Sequence, residues 1–314
     1  MNNLQLDVTA CVLSLNRPVY LREAVASIQS QTRAPSRIII FDNGSKPDVF
    51  AAIEDYLKDG VSFRGAEQTE SVFWNFRRVS QEVGSKYVVI LHDDDTLCPD
   101  FFDKQITFLE KHPDVVAVSC NGYLIDKHGR RNGRLLFPEL NNSVAELYRC
   151  SADVALRYAS DECLPMSPVV YRTKILGQVD FREEYEKVAD AVFFCDMADI
   201  GVVAYQSNAL YECRIHDAQD SSYFSAAIMN RLENFFWSRK TKNPEVLIRL
   251  HKKLISQHTA RNLRRFLSVI KKPQSVKHFF GEFKMIWDEV FSPLAALKII
   301  ITAFTKRLLV FRRR

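Results

Sequence analysis

Short apolar runs alternate with amphipathic segments through the first third of the chain. Residues 7–15, 37–41 and 87–91 are runs of mostly apolar residues, many of them β-branched, that end in turn-forming residues, as buried strands do. Each run is followed by a segment with apolar side chains at helical spacing, such as 19–31 after the first. Strands that alternate with helices predict an α/β fold, with a mostly parallel sheet flanked by helices.

The same reasoning extends the pattern to residue 129. Further helices are predicted at 47–58, 71–83 and 101–111, and further strands at 115–120 and 123–129, the last leading into a turn. Because the carboxyl ends of parallel strands meet at one edge of the sheet, polar residues at those ends are the first candidates for a ligand site.

The sequence YVVILHDDDTLCPD, residues 87–100, follows its apolar run with Asp93, Asp94 and Asp95. Three adjacent carboxylates repel one another unless a cationic group lies among them. A divalent metal that also binds a phosphorylated substrate would relieve that repulsion, because hard cations take carboxylate oxygens. The alternative is a solvated acidic turn that caps a helix beginning near Pro99.

A further acidic residue, Asp42, follows the run 37–41 and begins the sequence Asp-Asn-Gly-Ser, which strongly favours a turn. At the end of a strand such a residue can accept hydrogen bonds from a ribose or a base edge. Its alternative role is that of a helix N-cap or turn former. The chain has no GxGxxG, GxxxxGKS/T or GxSxG motif, which argues against a dinucleotide fingerprint, a P-loop and a serine hydrolase elbow.

Composition allows one large domain with an appendage, or two domains. The chain has 314 residues, of which 47% are apolar and 26% charged. Residues 1–230 hold 23 basic and 33 acidic side chains, a net charge of −10, whereas residues 231–314 hold 20 and 5, a net charge of +15. So abrupt a change marks a functional boundary, and we predict a main domain over 1–222 and a basic helical extension over 223–314.

The predicted extension combines apolar residues at 3-and-4 spacing with clustered lysines and arginines. Its apolar run 299–304 is far shorter than the ~20 residues that span a bilayer. We therefore expect it to lie on an anionic membrane surface, with its arginines at the headgroups. Packing on the main domain or on a dimer partner is the alternative, and the lack of a base-reading motif argues against a nucleic-acid partner.

Cysteine usage and the N-terminus predict the compartment. Seven cysteines are scattered without a CxxC pair, which suggests neither a zinc site nor a disulfide framework and fits a reducing environment. The first ten residues lack the basic and apolar regions of a signal peptide. We expect a cytoplasmic protein that associates peripherally with the inner face of the cell membrane.

Four segments stand in a characteristic order and spacing. They are VLSLNR (Val12–Arg17), IIFDNGS (Ile39–Ser45), ILHDDDTLCP (Ile90–Pro99), and the stretch that begins at Val188-Ala189-Asp190 and ends at His216. Together they span roughly residues 7–216, about two thirds of the chain. In this order and spacing they resemble the family 2 glycosyltransferases with their GT-A fold.

The resemblance implies a role for each matching residue. Asp42 would contact the uracil or ribose of a nucleotide, and Asp93 would lie near the ribose. Asp94 would be the main protein ligand of Mg²⁺ or Mn²⁺, and Asp190 would be the general base. The full set of candidates is Asp42, Asp93, Asn16 and Arg78 for the donor, Asp94, Asp95 and His216 for the metal, and Asp190 for catalysis.

Two of these candidates have simpler interpretations. Asp190 lies in the apolar stretch 188–195, where partial burial would raise its pKa towards that of a base, but it could instead be a helix N-cap. His216 would approach the metal or the diphosphate, or else be a surface loop histidine. Two positions depart from the family: His92 stands where many relatives have an acid, and Ala189 where many have a glutamate.

The resemblance implies an inverting, metal-dependent glycosyltransferase that uses a nucleotide-diphosphate sugar, with a UDP-sugar favoured. The acceptor would be a glycan or a polyprenyl-linked sugar in the synthesis of a bacterial surface polysaccharide. A nucleotidyltransferase on a related fold would use the same carboxylates but release pyrophosphate. A membrane-bound glycan-binding protein with a degenerate site is the non-enzymatic alternative.

Overall fold

The computed structural model describes most of the chain before residue 255. The predicted boundary at 222/223 and most of the predicted extension over 223–314 fall outside the described residues. The chain divides into two compact units, Met1–Leu247 and Ile248–Arg314. None of the described helices has the length and apolarity needed to cross a bilayer. The described residues are 6–58, 60–138, 145–160, 162–216, 226–241 and 243–254.

The described part of the first unit is built on one ten-stranded sheet with helices packed against it. The strands are β1 (Leu6–Ser14), β2 (Pro35–Asp42), β3 (Val61–Gly65), β4 (Tyr87–His92), β5 (Thr96–Leu97), β6 (Val115–Ile125), β7 (Arg131–Leu135), β8 (Ala145–Tyr148), β9 (Val169–Arg172) and β10 (Val202–Arg214).

The helices begin and end where the local sequence allows. Pro18 stands in the first turn of the first helix, and the Ser71 side chain caps the third by accepting a hydrogen bond from the Trp74 amide at 3.2 Å. Residues 244–254 are also helical. The helices are α1 (Pro18–Gln29), α2 (Pro47–Ile53), α3 (Val72–Glu82), α4 (Phe101–Lys111), α5 (Ser151–Tyr158), α6 (Thr173–Leu176), α7 (Ala189–Ala198) and α8 (Ala226–Trp237), with 3-10 turns at Glu54–Tyr56 and Glu183–Val188.

Sheet topology places the strand ends that matter for a site. The strand order is β3-β2-β1-β4-β9-β6-β10-β5, with β7 paired to β6 and β8 to β10. Strands β3, β2, β1 and β4 are parallel to one another, and β9 runs antiparallel between β4 and β6. The predicted α/β fold is confirmed. The carboxyl ends of β1, β2 and β4 meet at one edge, since β1 is hydrogen-bonded to both of the others.

Two strand predictions need correction. Strand β3 was not predicted, because its residues are partly exposed and form no apolar run. The predicted break between strands 115–120 and 123–129 does not exist, and β6 continues through Asn121 and Gly122. The Asn121 side chain bonds both the amide and the carbonyl of Phe137, at 3.1 and 2.9 Å, so a polar residue fits inside the strand.

Both faces of the sheet are apolar, and this fixes the helices that carry polar site residues. On one face, alternate residues of β1 (Val8, Ala10, Val12) pack with α1, α2 and α4. On the other, an aromatic cluster holds Phe193 of α7 against Phe181, whose ring lies 4.5 Å away, and against other rings. Burial of each such side chain contributes about 1.5–3 kcal/mol. Helix α7 is therefore anchored, and its first turn has a defined position.

Candidate active site

The three aspartates form a tight turn after β4. The Asp95 amide donates to the His92 carbonyl at 3.3 Å, and the Asp93 amide donates to the Leu13 carbonyl of β1 at 3.1 Å. The chain then returns as β5, which pairs with β10. All three aspartates are buried, but their side chains meet different partners.

Asp93 faces the loop between β1 and α1. Its carboxylate accepts a hydrogen bond from the Leu15 amide at 2.9 Å and pairs with the Arg17 guanidinium at 2.8 Å. Burial raises the pKa of Asp93 to about 6, although both of these partners favour the ionised form. The residue thus holds the loop and Arg17 beside the turn. Contact with a ribose remains a prediction.

Asp94 and His216 are brought together from positions far apart in sequence. The Asp94 Oδ2 atom lies 3.0 Å from His216 Nε2, just after β10, and 3.6 Å from the Arg17 guanidinium. Burial by itself would raise the pKa of Asp94, but the histidines at 92 and 216 and the arginine lower it. Asp94 is consequently a charged carboxylate at neutral pH, with an imidazole beside it.

Asp95 is tied to the protein rather than to solvent. Its carboxylate accepts from the Arg214 amide at 3.1 Å and lies 3.5 Å from the Ser167 hydroxyl. Burial and the neighbouring Asp94 charge raise its pKa well above the usual value. His92, Asp94 and Asp95 nevertheless each offer one ligand atom within 4.8 Å of the others, so these three could hold a metal ion. The histidine in this group of three is His92, whereas the sequence predicted His216 as the metal ligand.

Sequence reasoning missed the role of Arg214. Its buried guanidinium donates from Nε to the Asp94 carbonyl at 2.8 Å and from Nη2 to Glu23 at 2.5 Å. It also stacks over the Tyr20 ring at 4.4 Å, and that ring contacts His216. The available signal in the sequence was a charged residue in a strand that must be buried, two positions before His216.

Ser167 is a second residue whose role was missed. Its hydroxyl accepts a hydrogen bond from the His92 amide at 2.8 Å as well as lying close to Asp95. The loop that leads into β9 is thereby attached to the acidic turn. Nothing in the sequence of this loop encodes that contact, because the partners are separated by 75 residues.

Asp42 ends β2 at the same edge of the sheet. One carboxylate oxygen accepts a hydrogen bond from the Ser45 amide at 2.9 Å. The other oxygen, Oδ1, is buried and has no hydrogen-bond partner among the described residues. A buried acceptor without a donor costs about 1–3 kcal/mol. This atom therefore marks a place where a ligand hydroxyl or amide would be stabilised.

Asn16 and Arg78 lie on either side of Asp42 and shape its surroundings. Asn16 has a positive φ of 55°, and it connects two loops by donating its amide to the Ser45 hydroxyl and accepting from Lys46. Arg78 donates to the Arg64 carbonyl at 3.0 Å and lies more weakly against the Asp42 carbonyl at 3.4 Å. Their contact with a donor remains a prediction.

Asp190 lies in the first turn of α7. The N-cap of this helix is Val188, so the alternative interpretation of Asp190 as the N-cap is wrong. Its carboxylate accepts from the Ala191 amide at 2.7 Å and lies 3.5 Å from the Tyr158 hydroxyl. Burial raises the pKa of Asp190 to about 6. Tyr158 also contacts the Leu164 carbonyl, in the loop that Ser167 attaches to the acidic turn.

One family model and several known proteins match this chain in sequence. A family model described as Glycosyl transferase family 2 matches residues 9–167. Two Haemophilus influenzae proteins named uncharacterized glycosyltransferase are similar. One is 24% identical over 230 residues, covering 69% of this chain and 68% of its own. The other is 26% identical over 212 residues, covering 63% of this chain and 74% of its own.

Solved structures share the fold. The S. aureus protein TarS 1-349 in complex with UDP-GlcNAc superposes with a TM-score of 0.65 and 16% identity, covering 90% of this chain and 81% of the TarS 1-349 chain. A second structure of TarS 1-349 gives a TM-score of 0.61 and 13% identity, covering 90% and 78%. The predicted GT-A fold is confirmed.

Proposed function

The chain belongs to glycosyl transferase family 2, and we propose that it transfers a sugar, with inversion, from a nucleotide-diphosphate sugar to a hydroxyl group of an acceptor. The observation that carries this proposal is the pairing of Asp94 with His216 at the sheet edge where Asp42 has a buried oxygen that meets no donor in the described part of the chain. Ligands of open α/β sheets bind outside the carboxyl ends of the strands, which is where these groups lie.

We propose that Asp42 receives the nucleoside of the donor. Its Oδ1 atom would accept a hydrogen bond from a uracil N–H or a ribose hydroxyl, which would remove the cost of leaving that oxygen unpaired. TarS, which shares the fold, has been crystallised with UDP-GlcNAc and with UDP, and this favours a UDP-sugar. The Arg78 side chain, stacked over Trp74 at 4.8 Å, would form one wall of this subsite.

The oxygen and nitrogen atoms around Asp94 would suit a divalent cation, Mg²⁺ or Mn²⁺, as ligands. A charged carboxylate lies within reach of two imidazoles and a second carboxyl group, and these are the oxygen and nitrogen ligands that such ions accept in proteins. When bound, the cation would stabilise the negative charge of the departing diphosphate. Asp94 would hold it together with Asp95 and His216.

Asp190 would remove the proton from the attacking hydroxyl. A pKa of about 6 leaves the carboxylate ionised at neutral pH while making it a stronger base than an exposed aspartate. The Ala191 amide holds one of its oxygens at 2.7 Å, and the Tyr158 hydroxyl lies 3.5 Å from the other. Attack on the anomeric carbon from the side opposite the diphosphate gives inversion.

The acceptor is the least specified part of the proposal. We propose a glycan or polyprenyl-linked sugar of a bacterial surface polysaccharide, with the enzyme on the cytoplasmic face of the membrane. The support is the net charge of +15 over residues 231–314, which would attract the chain to anionic headgroups. Vesicle flotation with and without residues 293–314 tests this part separately.

Two substitutions test the central proposal. Asp190→Asn should keep donor binding and lose transfer, whereas Asp94→Asn should lose donor binding in the presence of Mn²⁺. Asp48→Asn, at an exposed position in the first turn of α2, is the control and should change neither. The released product must be a nucleoside diphosphate, since pyrophosphate would instead indicate nucleotidyl transfer. Full transfer by Asp190→Asn would show that another group is the base.

A further inference from the structure

His92 occupies a rigid position at the end of β4. Its amide donates to the Ser167 hydroxyl at 2.8 Å, and its carbonyl accepts from the Asp95 amide at 3.3 Å. The residue is also in register with Leu13 of β1. Because the backbone is held on both sides, the position of the imidazole is set by the sheet and the turn.

The direction of the side chains separates His92 from Asp93. Asp93 points towards Leu15 and Arg17, whereas His92, Asp94 and Asp95 converge, with ligand atoms within 4.8 Å of one another. The turn closed by the bond from the Asp95 amide to the His92 carbonyl brings Asp94 and Asp95 back towards the His92 ring. The imidazole is therefore directed at the same space as the charged carboxylate.

The charge in that space is low for a cluster with three aspartates. The Arg17 guanidinium lies 3.6 Å from Asp94 and 2.8 Å from Asp93, and so offsets part of their charge. The Asp95 carboxylate already accepts a hydrogen bond from the Arg214 amide at 3.1 Å.

Imidazole and carboxylate ligands together discriminate between cations. Mg²⁺ binds through carboxylates and water, and gains little from imidazole nitrogen. Transition ions accept nitrogen ligands more readily than Mg²⁺ does, and Co²⁺ accepts them more readily than Mn²⁺. A site that offers imidazoles at 92 and 216 beside the Asp94 carboxylate thus binds transition ions in preference to Mg²⁺.

We propose that His92 is a metal ligand that makes this site select transition-metal ions over Mg²⁺. The inference rests on the proposed metal-dependent transfer and adds the class of cation. An acid at this position would add a negative charge and an oxygen ligand, and would favour Mg²⁺. The presence of His92 where many relatives have an acid is then the origin of the selectivity for transition ions.

Metal binding to the full-length, chelator-treated protein tests this without any measurement of transfer. Mn²⁺ affinity is measured by electron paramagnetic resonance, and Mg²⁺ and Co²⁺ by competition. His92→Asp should reduce the preference for Mn²⁺ and Co²⁺ over Mg²⁺ by about tenfold or more. His128→Asn, an exposed histidine in the turn after β6, is the matched control and should leave the preference unchanged.

Nitrogen coupling to bound Mn²⁺ provides a readout that does not depend on the folding of His92→Asp. The wild-type protein should show coupling from imidazole nitrogen, and this coupling should persist in His216→Asn because His92 remains. Loss of all nitrogen coupling in His216→Asn, or an unchanged preference in a folded His92→Asp, would overturn the inference while leaving the proposed transfer intact. Failure of every ion to bind would overturn both.

Discussion

Arg214 offers a strict test of how the acidic turn is held. Its buried guanidinium contacts the Asp94 carbonyl at 2.8 Å, the Glu23 carboxylate at 2.5 Å, the Tyr20 ring at 4.4 Å and, more weakly, the Asp126 carbonyl at 3.4 Å. Arg214→Met keeps the length and apolar volume of the side chain but removes all of its donors. The Asp94 carbonyl then loses a donor inside the protein, where water cannot easily replace it.

The expected cost follows from the exposure of each partner. A buried carbonyl left without its donor costs about 1–3 kcal/mol, and loss of the stacking on tyrosine adds about 1 kcal/mol. The ion pair contributes less, because the Glu23 side chain is 45% exposed and regains hydration when its partner leaves. We expect a total near 3 kcal/mol, which lowers Tm by about 6–12 °C for a unit of this size.

Thermal unfolding of wild type, Arg214→Met and Glu23→Gln measures this directly. Glu23→Gln keeps a hydrogen-bond acceptor for the guanidinium and should cost at most about 1 kcal/mol. If Glu23→Gln were as damaging as Arg214→Met, the surface ion pair, and not the bond to the Asp94 carbonyl, would hold the turn. A loss below about 1 kcal/mol in Arg214→Met would refute the whole argument.

Three further predictions concern single positions. Turnover should fall as the pH drops below about 6. Burial raises the pKa of Asp190 to about 6, and protonation of this carboxylate removes the base. A pH–rate profile that stays flat to pH 5 would contradict this. Asp42→Asn should weaken UDP binding about tenfold in calorimetry without lowering Tm, because it keeps an oxygen for the Ser45 amide and replaces only Oδ1, which has no partner among the described residues. Gly122→Ala should destabilise the fold by about 1–3 kcal/mol, because its Cβ would lie 2.6 Å from the Tyr211 ring, whereas Gly84→Ala, with nothing within 4 Å, should be tolerated.

Hydrophobic periodicity was sufficient to predict the elements that carry the site. The runs before Asp42 and Asp93 are buried on both faces of the sheet, so their apolar character is continuous and easily recognised. Parallel pairing then requires their polar ends to meet. Strand β3 lacked this signal because it lies at the edge of the sheet and is half exposed.

The long-range contacts could not be predicted in the same way. Arg214 and Asp94 are 120 residues apart, and Ser167 and His92 are 75 residues apart. A pattern of apolar residues states which side chains are buried but not which partners they meet. Buried polar groups must nevertheless be paired, so each of these residues was a candidate for some contact that only the fold could name.

The three adjacent aspartates show how far such reasoning extends. Repulsion among like charges suggested that a cation was required. The protein itself relieves most of that repulsion: Arg17 pairs with Asp93, burial opposes ionisation of Asp95, and His216 lies against Asp94. The acidic cluster alone is therefore no argument for a metal. A metal is indicated instead by Asp94, whose carboxylate lies beside the imidazoles of His92 and His216. Hydrogen bonding within the turn does not require this arrangement.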